Sequence, residues 1–247
     1  MQRSGMKNKT MIVIGALFII ICLAVTYIMF GKNYSNKAKT TQYLNSRYNK
    51  NFVVNDAGYS GGSIGGDAKG YSKLQAYPKD GSTEVFEVLL YDNGKFEDGY
   101  IQAFWSKQAT ELEKKEVGKL LQSNSDVKIE IDFRPNIDGY VSKFTLESVD
   151  PKNIIRYSEL VREYKNDIRY VVNINASVNG DSVDTNVAVG EIYKIAELIR
   201  SKSMGYPELV YSVKSKSARY VCNMVDGDIK DLDINRVKKC LNKMGVE

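Results

Sequence analysis

Histidine is missing from this sequence of 247 residues. Its absence excludes Ser-His-Asp and Cys-His nucleophilic systems, imidazole acid-base catalysis, and zinc or non-haem iron sites built on imidazole. A hydrolase on this chain would have to use paired carboxylates or a Ser-Lys pair. Cysteine is scarce, with three residues, Cys22, Cys222 and Cys240, too few for a disulfide framework. Proline occurs only four times, in a chain rich in Asn, Lys, Ile and Tyr. No run of five or more like charges occurs, so the footprint of a nucleic-acid binder is lacking and no nucleic acid is expected as a partner.

What is present begins with an apolar run. Met11 to Phe30 holds twenty residues without a charge, and at about 1.5 Å per residue a helix of that length spans a hydrocarbon core of roughly 30 Å. A cleaved signal peptide would have a shorter apolar region ending in small residues, whereas Tyr27, Ile28, Met29 and Phe30 are bulky. Cys22 follows three isoleucines and not the small residue of a lipobox, so it reads as an apolar residue. The expectation is a cytoplasmic tail over 1–10 and a transmembrane helix over 11–30, with the lipid bilayer as partner.

Arg3, Lys7 and Lys9 precede the run, and Lys32, Lys37 and Lys39 follow it, so lysine counts do not set the orientation. Long domains translocate largely regardless of charge. A single-pass protein of the cell membrane with its C-terminal domain extracytoplasmic is expected. Beyond the run the charges balance: 35 Lys and Arg less the three N-terminal ones leave 32 against 30 Asp and Glu.

Tyr43, Leu44 and Tyr48 share a helical face, and Phe52-Val53-Val54 follows as a strand. Gly58 to Gly70 carries six glycines in thirteen positions. A phosphate loop would lead into a helix, but strand-like residues 71–77 follow, which predicts a hairpin loop. Thr83 to Tyr91 reads as a strand and Asp92-Asn93-Gly94 as a turn. Ile101, Trp105, Ala109, Leu112, Val117, Leu120 and Leu121 recur at helical spacing over about 25 residues, and Phe104-Trp105 reads as core packing.

Val127, Ile129, Ile131 and Phe133 alternate with Lys128, Glu130 and Asp132, a half-buried strand. A second strand is expected over 140–147. Asp150-Pro151 reads as a boundary between modules 31–150 and 151–247. The second module reads as helix 153–164, strand 168–178, a helix marked by Ile192, Ile195, Ala196 and Ile199, strands 209–214 and 219–225, and a closing helix striped by Ile234, Val237, Leu241 and Met244.

Cys222 alternates with Tyr220 and Met224, and Cys240 lies on the stripe of the last helix, so both thiols point into one core. They either bridge, closing a loop worth on the order of 3 kcal/mol, or stay as buried free cysteines. Asp226-Gly227, Ile229 and Asp233 stand at offsets resembling part of an EF-hand or dockerin calcium loop. Cys222 and Met224, however, occupy positions that need hard oxygen ligands. The residues read instead as a turn, with Asp231 or Asp233 capping a helix. No metal site, cofactor or catalytic residue is assigned. Seventeen tyrosines are scattered through the chain, as the compositional bias accounts for.

The segments YLNSRYNKNFVV, AYPKD and FEVLLYDNGKFEDGYIQAFW resemble a loose class of uncharacterised Gram-positive membrane-anchored or lipoprotein-type α+β domains, over roughly residues 34–110. That resemblance implies a fold and no activity. The fold class expected is therefore α+β, an N-terminal transmembrane helix followed by one or two small modules with antiparallel sheets. The function expected is that of a non-catalytic extracytoplasmic binding or assembly protein with a protein partner in the cell envelope. The alternative is an envelope hydrolase using carboxylates near Gly58–Gly70 or after Gly94.

Overall fold

The computed structural model describes residues 35–60, 70–122, 124–133 and 149–244, together with Ile19. Its fold class is α+β, but the transmembrane helix expected over 11–30 is not an element of it. Among the described residues no helix is long and apolar enough to cross a membrane. The reason is charge: the longest, α2 (Tyr100–Gly118), carries six charged side chains, and α4 (Thr185–Ser201) carries four. Residues 11–30, Ile19 apart, lie outside the described set.

Two compact units divide at Asp98-Gly99. The first holds residues up to Asp80 with Val85–Asp98, and the second holds Gly81–Glu84 with the chain from Gly99 onward. Asp150-Pro151 lies inside the second unit. There the Asp150 carboxylate accepts from Lys152 N at 2.9 Å and from Asn153 Nδ2 at 2.7 Å, a turn closed by an aspartate side chain.

The first unit starts with α1 (35–48), which stops at Asn49, whose φ of 50° is a left-handed helix end that asparagine tolerates. Asn45 Oδ1 then accepts from Phe52 N at 3.0 Å, tying the helix to the next strand. A four-stranded antiparallel meander follows, β1 (Phe52–Ser60), β2 (Tyr71–Pro78), β3 (Phe86–Tyr91) and β4 (Phe96–Asp98), paired in chain order. The hairpin expected around the glycine-rich stretch is there as the β1/β2 pair, with a bulge at Asp56/Gly58. Its loop, 61–69, lies outside the described residues. Gly94, with φ of 83°, allows the β3/β4 turn.

Alternation along β2 buries Ser72, Leu74, Ala76 and Pro78 and exposes Lys73, Gln75 and Tyr77. Leu44 and Tyr48 of α1 are buried with Phe52, Phe86 and Val88 in this unit's core.

In the second unit α2 is followed by β5 (Asn124–Phe133), α3 (Tyr157–Tyr164), a 3-10 turn, β6 (Ile168–Ser177), α4, β7 (Tyr206–Lys214), β8 (Arg219–Met224), the short helices α5 (Asp226–Lys230) and α6 (Ile234–Cys240), and β9 (Asn242–Met244). The sheet runs β5-β6-β7-β8-β9. It is mixed, not antiparallel as expected: β6 and β7 are parallel, because α4 carries the chain back across the sheet between them.

At the β5 edge, side chains of α2 take up strand amides. Ile129 N donates to Thr110 Oγ1 at 2.9 Å and Ile131 N to Ser106 Oγ at 2.8 Å. A hydrophilic stripe of the helix thereby closes an edge that would otherwise template pairing.

Three further expectations change. The helix over 101–121 stops at Gly118. Asp226-Gly227 opens a short helix and not a turn. The closing helix ends at Cys240, and Met244 lies on β9 with 52% exposure, off any buried stripe. Asp233 does cap α6, accepting from Asn235 N at 2.6 Å and Arg236 N at 3.2 Å. The strand expected over 140–147 lies outside the described residues.

Candidate functional site

Cys222 and Cys240 are bridged, with Cα atoms 5.0 Å apart. The bond fixes α6 against β8. Of the two readings open from sequence, the structure has the disulfide.

Among the described residues, three buried carboxylates are held by tyrosine hydroxyls. In the first unit Asp98, its side chain 3% exposed, accepts from Tyr43 OH through Oδ2 and from Tyr48 OH through Oδ1, both at 2.7 Å. Arg47 Nε stands 3.8 Å from the carboxylate, and its guanidinium lies over the Tyr43 and Tyr48 rings at 5.9 and 5.6 Å. Burial, then the Asp98 charge, push both phenols well above their ordinary range.

In the second unit Glu113 of α2 accepts from Tyr157 OH at 2.9 Å and also from Tyr170 OH, with Lys202 Nζ 3.3 Å away. Glu191 of α4, 4% exposed, accepts from Gln122 N at 2.6 Å and Tyr211 OH at 2.5 Å. Burial first and the facing carboxylate second raise the phenols of Tyr157, Tyr170 and Tyr211.

Asp98 and Glu113 are structural by geometry. A general acid or base has to reach a proton on a substrate, and Asp98 and Glu113 are enclosed by donors. Of the carboxylates expected as hydrolase candidates after Gly94, Asp98 is one of these nodes. The other, Glu97, accepts from Lys95 Nζ at 3.1 Å and Tyr91 OH at 2.9 Å, and both bonds lower its pKa. The carboxyl groups flanking the glycine loop lie outside the described residues.

Sequence reading did not single out Glu113 or Glu191. A signal existed: Glu113 falls four residues after Ala109 and four before Val117, all buried, so it occupies a core position of its own helix. The acidic residues of the calcium-like segment spread onto cations instead. Asp226 pairs with Lys230 at 2.8 Å, and Asp228, Asp231 and Asp233 all lie within 3.6–3.8 Å of Arg236.

A groove of about 670 Å³ in the first unit runs between α1 and the β2–β4 end of the meander. Its wall combines the stacked pair Tyr43 and Phe96, 4.2 Å between centroids, with Asn36, Lys39, Gln42 and Tyr91. A smaller pocket of about 190 Å³ in the second unit lies between α4 and β7, lined by valines with Glu191 and Tyr211.

No protein-family model matches this chain, and none of the curated proteins is similar to it. Among solved structures it is similar to the crystal structure of a DUF5037 family protein from Ruminococcus gnavus, at 15% identity and a TM-score of 0.42, over 72% of this chain and 75% of that one. A likeness that distant carries neither fold nor function across.

Proposed function

We propose that this chain is a non-catalytic binding or assembly protein of the cell envelope, working outside the cytoplasm through a protein partner. The observation that carries the reading is the groove beside α1. It is open, and it pairs an aromatic wall of Tyr43, Tyr91 and Phe96 with the amides of Asn36 and Gln42 and with Lys39. Aromatic rings that offer area at low entropic cost beside adaptable hydrogen-bonding groups suit a protein surface.

The Cys222–Cys240 bridge supports the placement, since disulfides persist in oxidising compartments. A photoreactive amino acid in place of Gln42, with a control in place of Lys194 on α4, tests the reading on intact cells. A discrete adduct from position 42 and none from position 194 is expected. Identical background from both positions would sink the proposal.

A further inference from the structure

Glu191 differs from Asp98 and Glu113 in its partners. Asp98 has Arg47 and Glu113 has Lys202 within 4 Å, whereas among the described residues no cation pairs with Glu191. Its two donors, the Gln122 amide and the Tyr211 hydroxyl, are both neutral. Buried charges are ordinarily paired, and an ionised carboxylate has about four acceptor positions, of which two are used here.

The same side chain borders the pocket between α4 and β7. Val183, Val187 and Val213 supply its apolar wall. Asp184 adds a second negative charge at the rim, although its Oδ1 is engaged by Asn186 N at 2.9 Å and Val187 N at 3.3 Å as the cap of α4. The positive end of the α4 dipole opposes a cation, but that effect fades within the first turn, and Glu191 lies beyond it. The volume of about 190 Å³ equals roughly six water molecules at about 30 Å³ each.

We infer that this pocket binds a compact aliphatic ammonium, its charged head on Glu191 and its alkyl body against the valines. The chemistry is complementary at both ends: the ammonium donates to the unused carboxylate positions, and the chain fills space that water would occupy poorly. This site lies in the other unit from the α1 groove, so the binding reading above and this inference stand or fall separately.

The test is calorimetric titration of the full-length chain with n-butylammonium chloride, against n-butanol at matched ionic strength. Butylammonium should bind at least tenfold more tightly than butanol. Glu191→Gln should weaken butylammonium at least tenfold while leaving butanol unchanged. Val183→Phe, which fills the pocket from its loop side and keeps the carboxylate, should abolish both and serves where Glu191→Gln fails to fold. No binding of butylammonium by the unaltered chain overturns the inference. So does equal binding of the amine and the alcohol, or full affinity in either variant.

Discussion

Tyr48 donates to Oδ1 of Asp98 at 2.7 Å, and Tyr43 holds the other oxygen at the same distance. One buried carboxylate at the end of β4 thus fixes two successive turns of α1. Tyrosine on carboxylate recurs at Glu113 and Glu191, so tyrosines that look scattered in sequence share a structural task.

This device predicts an alkaline limit to stability. The folded chain holds the Tyr48, Tyr157 and Tyr211 phenols above their ordinary value of 10.0, through burial and then the carboxylate each faces. The unfolded chain therefore releases these protons first. Their contribution is complete below the ordinary value and is lost as pH rises through the folded one. Tyr157 adds a slope of at most about 1.4 kcal/mol per pH unit. Urea denaturation at about pH 8 and about pH 11 should show lower stability at the higher pH, with a shallower fall in Tyr157→Phe. Equal falls in both would contradict the role given to this hydroxyl.

Trp105, the single tryptophan, is fully buried and donates from Nε1 to the Ile155 carbonyl at 2.8 Å. Its emission should be blue-shifted, resist acrylamide quenching, and report unfolding of the second unit. Trp105→Phe leaves that carbonyl without its donor and should lower stability by about 1–3 kcal/mol, read from urea midpoints. Emission of a solvated indole would count against the placement of α2.

Gly205 leaves no room for a side chain: a Cβ there would stand 2.1 Å from the Asn166 carbonyl oxygen. Its amide donates to Lys165 O at 2.9 Å, so the backbone cannot retreat without losing that bond. Gly205→Ala should cost about 1–3 kcal/mol as overpacking. A thermal midpoint equal to that of the unaltered chain would show the approach to be looser than described.

How much of this was legible in the sequence depended on how local each signal is. Val127, Ile129 and Ile131 alternate with exposed Lys128 and Glu130, and β5 follows directly. The Asp92-Asn93-Gly94 turn and the Asp233 cap are set within four residues, and both were readable. On α2 the apolar stripe placed Leu112 inward, yet Leu112 is 64% exposed and Glu113 is buried. Glu113 takes its position from Tyr157 and Tyr170, more than forty residues away, and no local pattern carries that. The parallel β6/β7 pair is likewise a property of the α4 crossover and not of either strand. Asp98 lies in the stretch after Gly94 that offers carboxylates for a hydrolase, but its enclosure by α1 depends on tyrosines about fifty residues earlier in the chain.

The Cys222–Cys240 bond closes a loop with a separation of 18 residues, for which chain entropy gives about 3 kcal/mol. Reductant should lower the urea midpoint of the unaltered chain to that of the Cys222→Ser/Cys240→Ser double variant, and leave the double variant where it is. An unreduced chain no more stable than the double variant would remove the bond from the account.

The proposal that the α1 groove is external and covered by a partner is tested most directly by an impermeant thiol reagent applied to intact cells carrying Gln42→Cys. The account predicts reaction before lysis, several-fold slower than on the purified chain because a partner covers the groove. Reaction only after lysis, or at the purified rate, would contradict it.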